Sequence, residues 1–152
     1  MEKIMILDGN TQDLRDLSSA LSPFFIVLSC SRWVKALDIL KVFQPAGLIL
    51  DPSMPSLEIT DFIRQARFLS QSPSLVVAAV SAMSNLAQIS RAFEWEVDLA
   101  FSKPVDALNI AKKLRNLIVI RYQTAVLETV GRGVDPFNPR FLPEVNPVLI
   151  LP

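Results

Sequence analysis

The sequence predicts a doubly wound α/β fold on a five-stranded parallel sheet, and three observations carry that prediction. Five short apolar runs alternate with five helical patterns at steady spacing, as repeated βα units require. The runs are continuous in Val, Ile and Leu rather than alternating, so both faces of each strand are covered. Four of them close on a polar residue, Asp8, Asp51, Ser81 and Lys103, and the carboxyl ends of parallel strands share one edge.

The first strand is Lys3-Ile4-Met5-Ile6-Leu7, stopping at Asp8 with Gly9-Asn10 as its turn. A helix follows from Thr11, its expected cap, with Leu14, Leu17 and Leu21 on one face and a stop at Ser22-Pro23. Phe24 to Leu28 reads as the second strand. Ser31 is expected to cap the second helix, with Val34, Leu37, Ile39, Leu40 and Phe43 at helical spacing before Gln44-Pro45 breaks it. Gly47-Leu48-Ile49-Leu50 is the third strand and delivers Asp51 to a turn holding Pro52 and Pro55. Leu57 to Leu69 is helical through Ile59, Phe62, Ile63, Ala66 and Leu69, and Ser72-Pro73 ends that unit. Leu75 to Val80 forms the fourth strand, closing on Ser81. Asn85 to Trp95 is the fourth helix, with Leu86, Ile89 and Phe93 inward. Asp98 to Lys103 is the fifth strand, and Asp106 caps a last helix through Leu108, Ala111, Leu114 and Ile118.

Composition narrows the function. A chain of 152 residues with 51% hydrophobic residues supports one domain of ordinary core size. Fifteen basic and fifteen acidic residues cancel, which removes the electrostatic case for a nucleic-acid surface or an anionic membrane and points to a protein partner or small ligand. Without histidine there is no Ser-His-Asp triad or His-based metal centre, and Cys30 alone makes no internal disulfide. No run approaches a membrane span and the start is too short for a signal-peptide core, so a soluble, cytoplasmic protein is expected.

Two carboxylates, a hydroxyl and an ammonium at one sheet edge suit phosphoryl transfer with a hard cation. Acids hold Mg²⁺, a lysine and a hydroxyl meet phosphoryl oxygens, and an aspartate can itself accept the group as an acyl phosphate.

The residues Ile6-Leu7-Asp8, Gly47 to Asp51 with Met54-Pro55, Val80-Ser81-Ala82, and Phe101 to Asp106 carry a resemblance over residues 3 to 121 to the receiver domain of two-component response regulators. Gaps of 43, 30 and 22 residues separate Asp8, Asp51, Ser81 and Lys103 in the register of that family. The resemblance implies a flavodoxin-like sheet of order 2-1-3-4-5. It implies that Asp51 is the phosphoacceptor, served by a histidine kinase or phosphotransfer protein, with Ser81 and Lys103 as its catalytic companions. Mg²⁺ would be held by Asp8, Asp51 and the Ser53 backbone carbonyl. It also implies a cis Lys103-Pro104 bond and a signalling surface on the fourth helix, fifth strand and fifth helix, read by a downstream protein, rather than an enzyme with a separate substrate.

The chain departs from that pattern at four positions. Gly9 stands where receivers carry a second acid, which weakens the Mg²⁺ site; Pro52 follows the acceptor; Ile59 occupies a glycine position; Ala100 replaces an aromatic, with Phe101 on the other strand face. These leave open a pseudo-receiver, a phosphorylation-independent interaction or dimerisation module. A haloacid-dehalogenase-like phosphatase, suggested by Leu7-Asp8-Gly9-Asn10, would need a nucleophilic acid where Ile6 stands.

Beyond residue 121 the last helix is expected to extend over 122–133, with Tyr122, Ala125, Val126, Leu127 and Val130 leading to Gly131-Arg132-Gly133. Residues 134–152 form an apolar tail with five prolines, expected to be extended and docked. Surplus apolar positions on helix and tail predict a homodimer.

Overall fold

The computed structural model describes residues 1–70, 74–82 and 96–131. Five strands, β1 (Lys3–Leu7), β2 (Ile26–Cys30), β3 (Gly47–Leu50), β4 (Val76–Ala82) and β5 (Leu99–Lys103), form one parallel sheet of order β2-β1-β3-β4-β5. Four helices are described: α1 (Thr11–Leu21), α2 (Trp33–Phe43), α3 (Ile59–Leu69) and α4 (Ala107–Gly131). The fold class and strand order expected from the sequence are therefore present. The expected helix over Asn85 to Trp95, the Ser72-Pro73 stop and the 134–152 tail lie outside the described residues.

Alternation along the buried strands divides the core in two. Ile4, Ile6, Ile49, Val76, Ala78 and Val80 face α1 through Leu14, Leu17 and Leu21, and α4 through Ile110, Ala111, Leu114 and Ile118. Met5, Leu7, Leu48, Leu50, Val77 and Ala79 face α2 through Ala36 and Leu40, and α3 through Ile59, Phe62, Ile63 and Ala66. A Cβ on Gly47 would come within 3.3 Å of both Ile4 Cγ2 and Leu114 Cδ1. The missing side chain is what lets α4 close on the sheet there.

Several boundaries differ from the sequence expectation, each for a local reason. The cap of α1 is Asn10, not Thr11: its side chain accepts from the amides of Gln12 and Asp13. β2 starts at Ile26, because Phe24 and Phe25 donate their amides to Leu21 O at the end of α1 and Lys3 pairs with Ile26. Ser31 does not cap α2; the cap position is Arg32, with no side-chain bond. Val34 is exposed and Ala36 takes the buried place. On α4, Leu108 is half exposed while Ile110, unremarked in the sequence, is fully buried. Asp106 caps α4 as expected, accepting from the Asn109 amide. The helix continues unbroken past residue 121 to Gly131.

Candidate functional site

Asp8 and Asp51 each follow the last residue of a central strand, β1 and β3, and Lys103 is the last residue of β5. Since the strands are parallel, all three reach the same edge. The lysine stem crosses the end of β4, and its Nζ donates to Asp51 Oδ2 at 2.7 Å, Asp8 Oδ2 at 2.9 Å and Asp13 Oδ2 at 2.9 Å. The structure thus brings Asp8, Asp51 and Lys103 into direct contact and adds Asp13, which was not among the expected site residues.

Each acid is held by its own local turn. Asp8 Oδ1 accepts the Asn10 amide at 2.9 Å. Asp51 Oδ1 accepts both the Ser53 amide at 2.8 Å and the Ser53 hydroxyl at 2.5 Å. The turn closes on the residue two along, in the manner of an Asx turn, as it does from Asp8 to Asn10, and Pro52 between has no N–H to offer. Ser53 therefore contributes its amide and hydroxyl, whereas the sequence resemblance singled out its carbonyl.

The loop after Asp51 is anchored on its far side. Met54 is buried, the Leu57 amide donates to Met54 O, and Trp33 Nε1 donates to Pro55 O at 3.3 Å while its ring meets Phe62 edge-on. Ile59 does not occupy a loop position; it is the first residue of α3, which begins there and not at Leu57. The left-handed residue in this loop is Ser56, at φ 62°.

Ser81 lies at the carboxyl end of β4, two residues past the Ala79 that pairs with Leu50, and is 1% exposed. It shares the edge with the acids. Ala100 packs toward the α2/α3 side of the sheet and Phe101 toward the α1/α4 side, where Lys113 lies 5.8 Å over its ring. The two residues face opposite ways, as their alternation requires. The Lys103-Pro104 bond is cis, as expected.

Burial alone would push the Asp51 carboxyl up. The hydrogen bonds from Lys103 and Ser53 outweigh it and hold the group below the usual carboxylate value. For Lys103, burial works to lower the value, but the bonds to Asp51, Asp8 and Asp13 prevail and raise it above the ordinary lysine value. Both groups are charged at neutral pH. Three carboxylates against one ammonium leave the cluster with an excess of negative charge.

The oxygen-only donor set has the chemistry of a hard-cation site, which takes carboxylates and carbonyls. Its arrangement is that of an ammonium cradle: the three carboxylate oxygens meet Lys103 Nζ at 2.7 to 2.9 Å, where Mg²⁺ demands about 2.0–2.1 Å. Among the described residues, no group of three or more His, Cys, Asp or Glu is arranged to hold a metal ion. Gly9 beside Asp8 has room for a side chain, since an added Cβ would meet only Met54 Cγ and Cε at 3.8 and 3.9 Å.

Asp13 is the site residue that the sequence reading missed. It lies in the first turn of α1 and reads as an ordinary helix-start acid. The available signal was its place five residues after Asp8, in the first turn of the helix that the first strand's loop feeds.

No protein-family model matches the sequence, and no curated protein sequence matches it. Solved structures do. An adenylate cyclase from Rhodopirellula baltica is similar at 25% identity and a TM-score of 0.72, with 86% of this chain and 97% of that one covered. A response regulator receiver domain protein from Clostridium thermocellum is similar at 21% identity and a TM-score of 0.70, covering 82% and 99% of the two chains. The receiver domain of a sensor histidine kinase from Pseudomonas aeruginosa, with a magnesium ion coordinated in its active-site cleft, is similar at 13% identity and a TM-score of 0.67, covering 78% and 98%.

Proposed function

We propose, from the receiver-domain fold of this chain, that it acts as a response-regulator receiver in phosphorelay signalling, with Asp51 as phosphoacceptor. The observation that carries this reading is the convergence of Asp8, Asp51 and Lys103 from three strand ends, with Asp51 ionised and oriented by Ser53. A carboxylate oxygen of Asp51 attacks the phosphorus of a phosphohistidine on a kinase or phosphotransfer protein. The P–N bond breaks, the imidazole leaves with the electron pair, and an acyl phosphate forms on Asp51. Lys103 meets a phosphoryl oxygen, and the Ser81 hydroxyl donates to another. Mg²⁺, when bound, would be held by Asp8, Asp51 and the Ser53 carbonyl and would neutralise phosphoryl charge; Gly9 makes that site weak.

Trapping tests the reading. Borohydride reduction after treatment with acetyl phosphate converts an aspartyl phosphate to homoserine, expected at position 51 alone. An unmodified Asp51 contradicts it.

A second reading has its own support. Lys103 satisfied by three carboxylates, with no acid at position 9, is an arrangement complete without a phosphoryl group. It favours a phosphorylation-independent pseudo-receiver, for which Asp51→Asn would leave partner binding unchanged.

The chain works through contacts rather than by turning over a substrate of its own. The Rhodopirellula structure bears an enzyme's name, so the reading is checked by incubating this protein with ATP, Mg²⁺ and Mn²⁺; no cyclic AMP is expected. We place the receiver at residues 1–121, with 122–133 as helix extension and 134–152 as tail. The end of α4 and its extension present Val119, Tyr122, Val126 and Val130 at spacings of three, four and four residues, with Val119, Tyr122 and Val130 exposed. That is a stripe on which a second copy can pack to make a homodimer. No helix among the described residues is long and apolar enough to cross a membrane, and we place the protein in the cytoplasm, without a nucleic-acid partner.

A further inference from the structure

We propose that Asp13 is the exchangeable partner of Lys103: it holds the ammonium at rest and yields its place to a phosphoryl oxygen on Asp51. This rests on the phosphoacceptor reading above. An ammonium has three N–H donors and no acceptor. All three have a carboxylate oxygen within hydrogen-bond distance, Asp51 at 2.7 Å and Asp8 and Asp13 at 2.9 Å. The donor set is full. Asp51 gives up its carboxylate when it is phosphorylated, so one N–H can follow the phosphoryl group; a second bond from Lys103 to a phosphoryl oxygen forms only by displacing Asp8 or Asp13.

Burial decides which one leaves. The side chains of Asp8 and Asp51 are each 8% exposed, and that of Asp13 is 42% exposed. A carboxylate released in the interior is left charged without a partner, whereas Asp13 regains water on release. Asp8 and Asp51 are also pinned through their second oxygens, by Asn10 and Ser53. Asp13 is delivered differently, from the first turn of α1, where Asn10 accepts its amide and fixes that turn against the end of β1.

Asp13 is thus a positioning residue. It keeps Lys103 aimed at the acceptor while competing with the incoming anion for one N–H. Removing it frees a donor and favours the phosphoryl-bound state.

The test is calorimetric titration of the full chain with beryllofluoride, a phosphoryl mimic, at saturating Mg²⁺. Asp13→Ala and Asp13→Asn are expected to bind about ten-fold more tightly than wild type, the scale of one charge-assisted hydrogen bond at a half-exposed site. Asp13→Glu, which restores a carboxylate, returns the affinity toward wild type. Asp16→Asn removes the same charge from an exposed position that bonds Gln12 and leaves the affinity unchanged. Equal or weaker binding by Asp13→Ala overturns the proposal, as does equal tightening by Asp16→Asn, which would assign the effect to net charge. Binding by neither wild type nor Asp13→Ala overturns the phosphoacceptor reading and this proposal together. Equal binding by the two overturns this proposal alone.

Discussion

The Lys103 ammonium donates to Asp51 Oδ2 over 2.7 Å, joining the ends of two strands that β4 separates. Neither side chain is free to leave without consequence, because the acid is buried and the lysine is its counter-charge. Lys103→Met leaves Asp8 and Asp51 as buried carboxylates facing each other and is expected to cost roughly 3 kcal/mol at pH 7, the scale of a broken buried ion pair. Asp51→Asn costs much less, since Asp8 and Asp13 still hold the ammonium. Urea denaturation of the two variants measures the difference, and equal losses would contradict this account.

The pH dependence follows from the directions of the two shifts. Asp51 has its folded value depressed, so its contribution is present above its unfolded value of about 3.9 and is lost as pH falls through the lower folded value. Lys103 has its folded value raised, so its contribution is full below about 10.4 and is lost as pH rises through the higher folded value. Stability from the site is therefore level across the neutral range. Wild type is expected to lose stability more steeply than Asp51→Asn below about pH 4; parallel acid limbs would show that Asp51 is not specially held.

Gly9 is a position where the missing acid can be returned. An added Cβ there makes only ordinary contacts with Met54, and the backbone is outside the left-handed region. Gly9→Asp is expected to fold normally and to bind Mn²⁺ at least about ten-fold more tightly than wild type, as one more carboxylate at a hard-cation site should. Paramagnetic titration reads the affinity directly. An unchanged value would show that the cation, if bound, does not sit beside Asp8.

Arg121 ties α4 to the residues that lead into β4 and β5. Its guanidinium donates to Asp98 and to Leu75 O, and Asp98 also accepts from Arg67 and from the Val77 amide. Arg121→Ala is expected to cost about 2 kcal/mol, because a largely buried carboxylate loses a charged donor. A chain ending after Arg121 keeps that tie and is expected to fold, losing only the stabilisation that dimerisation adds at the working concentration. On sizing, the full chain is expected as a dimer and the shortened one as a monomer; the same oligomeric state for both would reject the helix-and-tail interface.

The fold was readable in the sequence because its strands are buried on both faces and its turns carry Gly, Pro and Asp at their ends. Continuous runs such as Leu48-Ile49-Leu50 leave no alternative period, so the parallel sheet and the edge shared by Asp8, Asp51 and Lys103 follow from the repeat, while the strand order comes from the receiver resemblance. What the repeat does not fix is local capping. Asn10 and Thr11 are both competent caps, and only the backbone angle at Asn10 selects it. Phe24 and Phe25 look like strand, yet their amides are engaged by the end of α1. Asp13 escaped notice because helix-start acids are common, and its bond to Lys103 spans 90 residues of sequence.

The central claim is that Asp51 accepts a phosphoryl group despite Gly9 and Pro52. Intact mass after incubation with acetyl phosphate at millimolar Mg²⁺, for wild type and Asp51→Asn side by side, tests it most directly. A gain of one phosphoryl group in wild type that is absent from Asp51→Asn is the expected result, and a wild-type mass that does not change would contradict the claim.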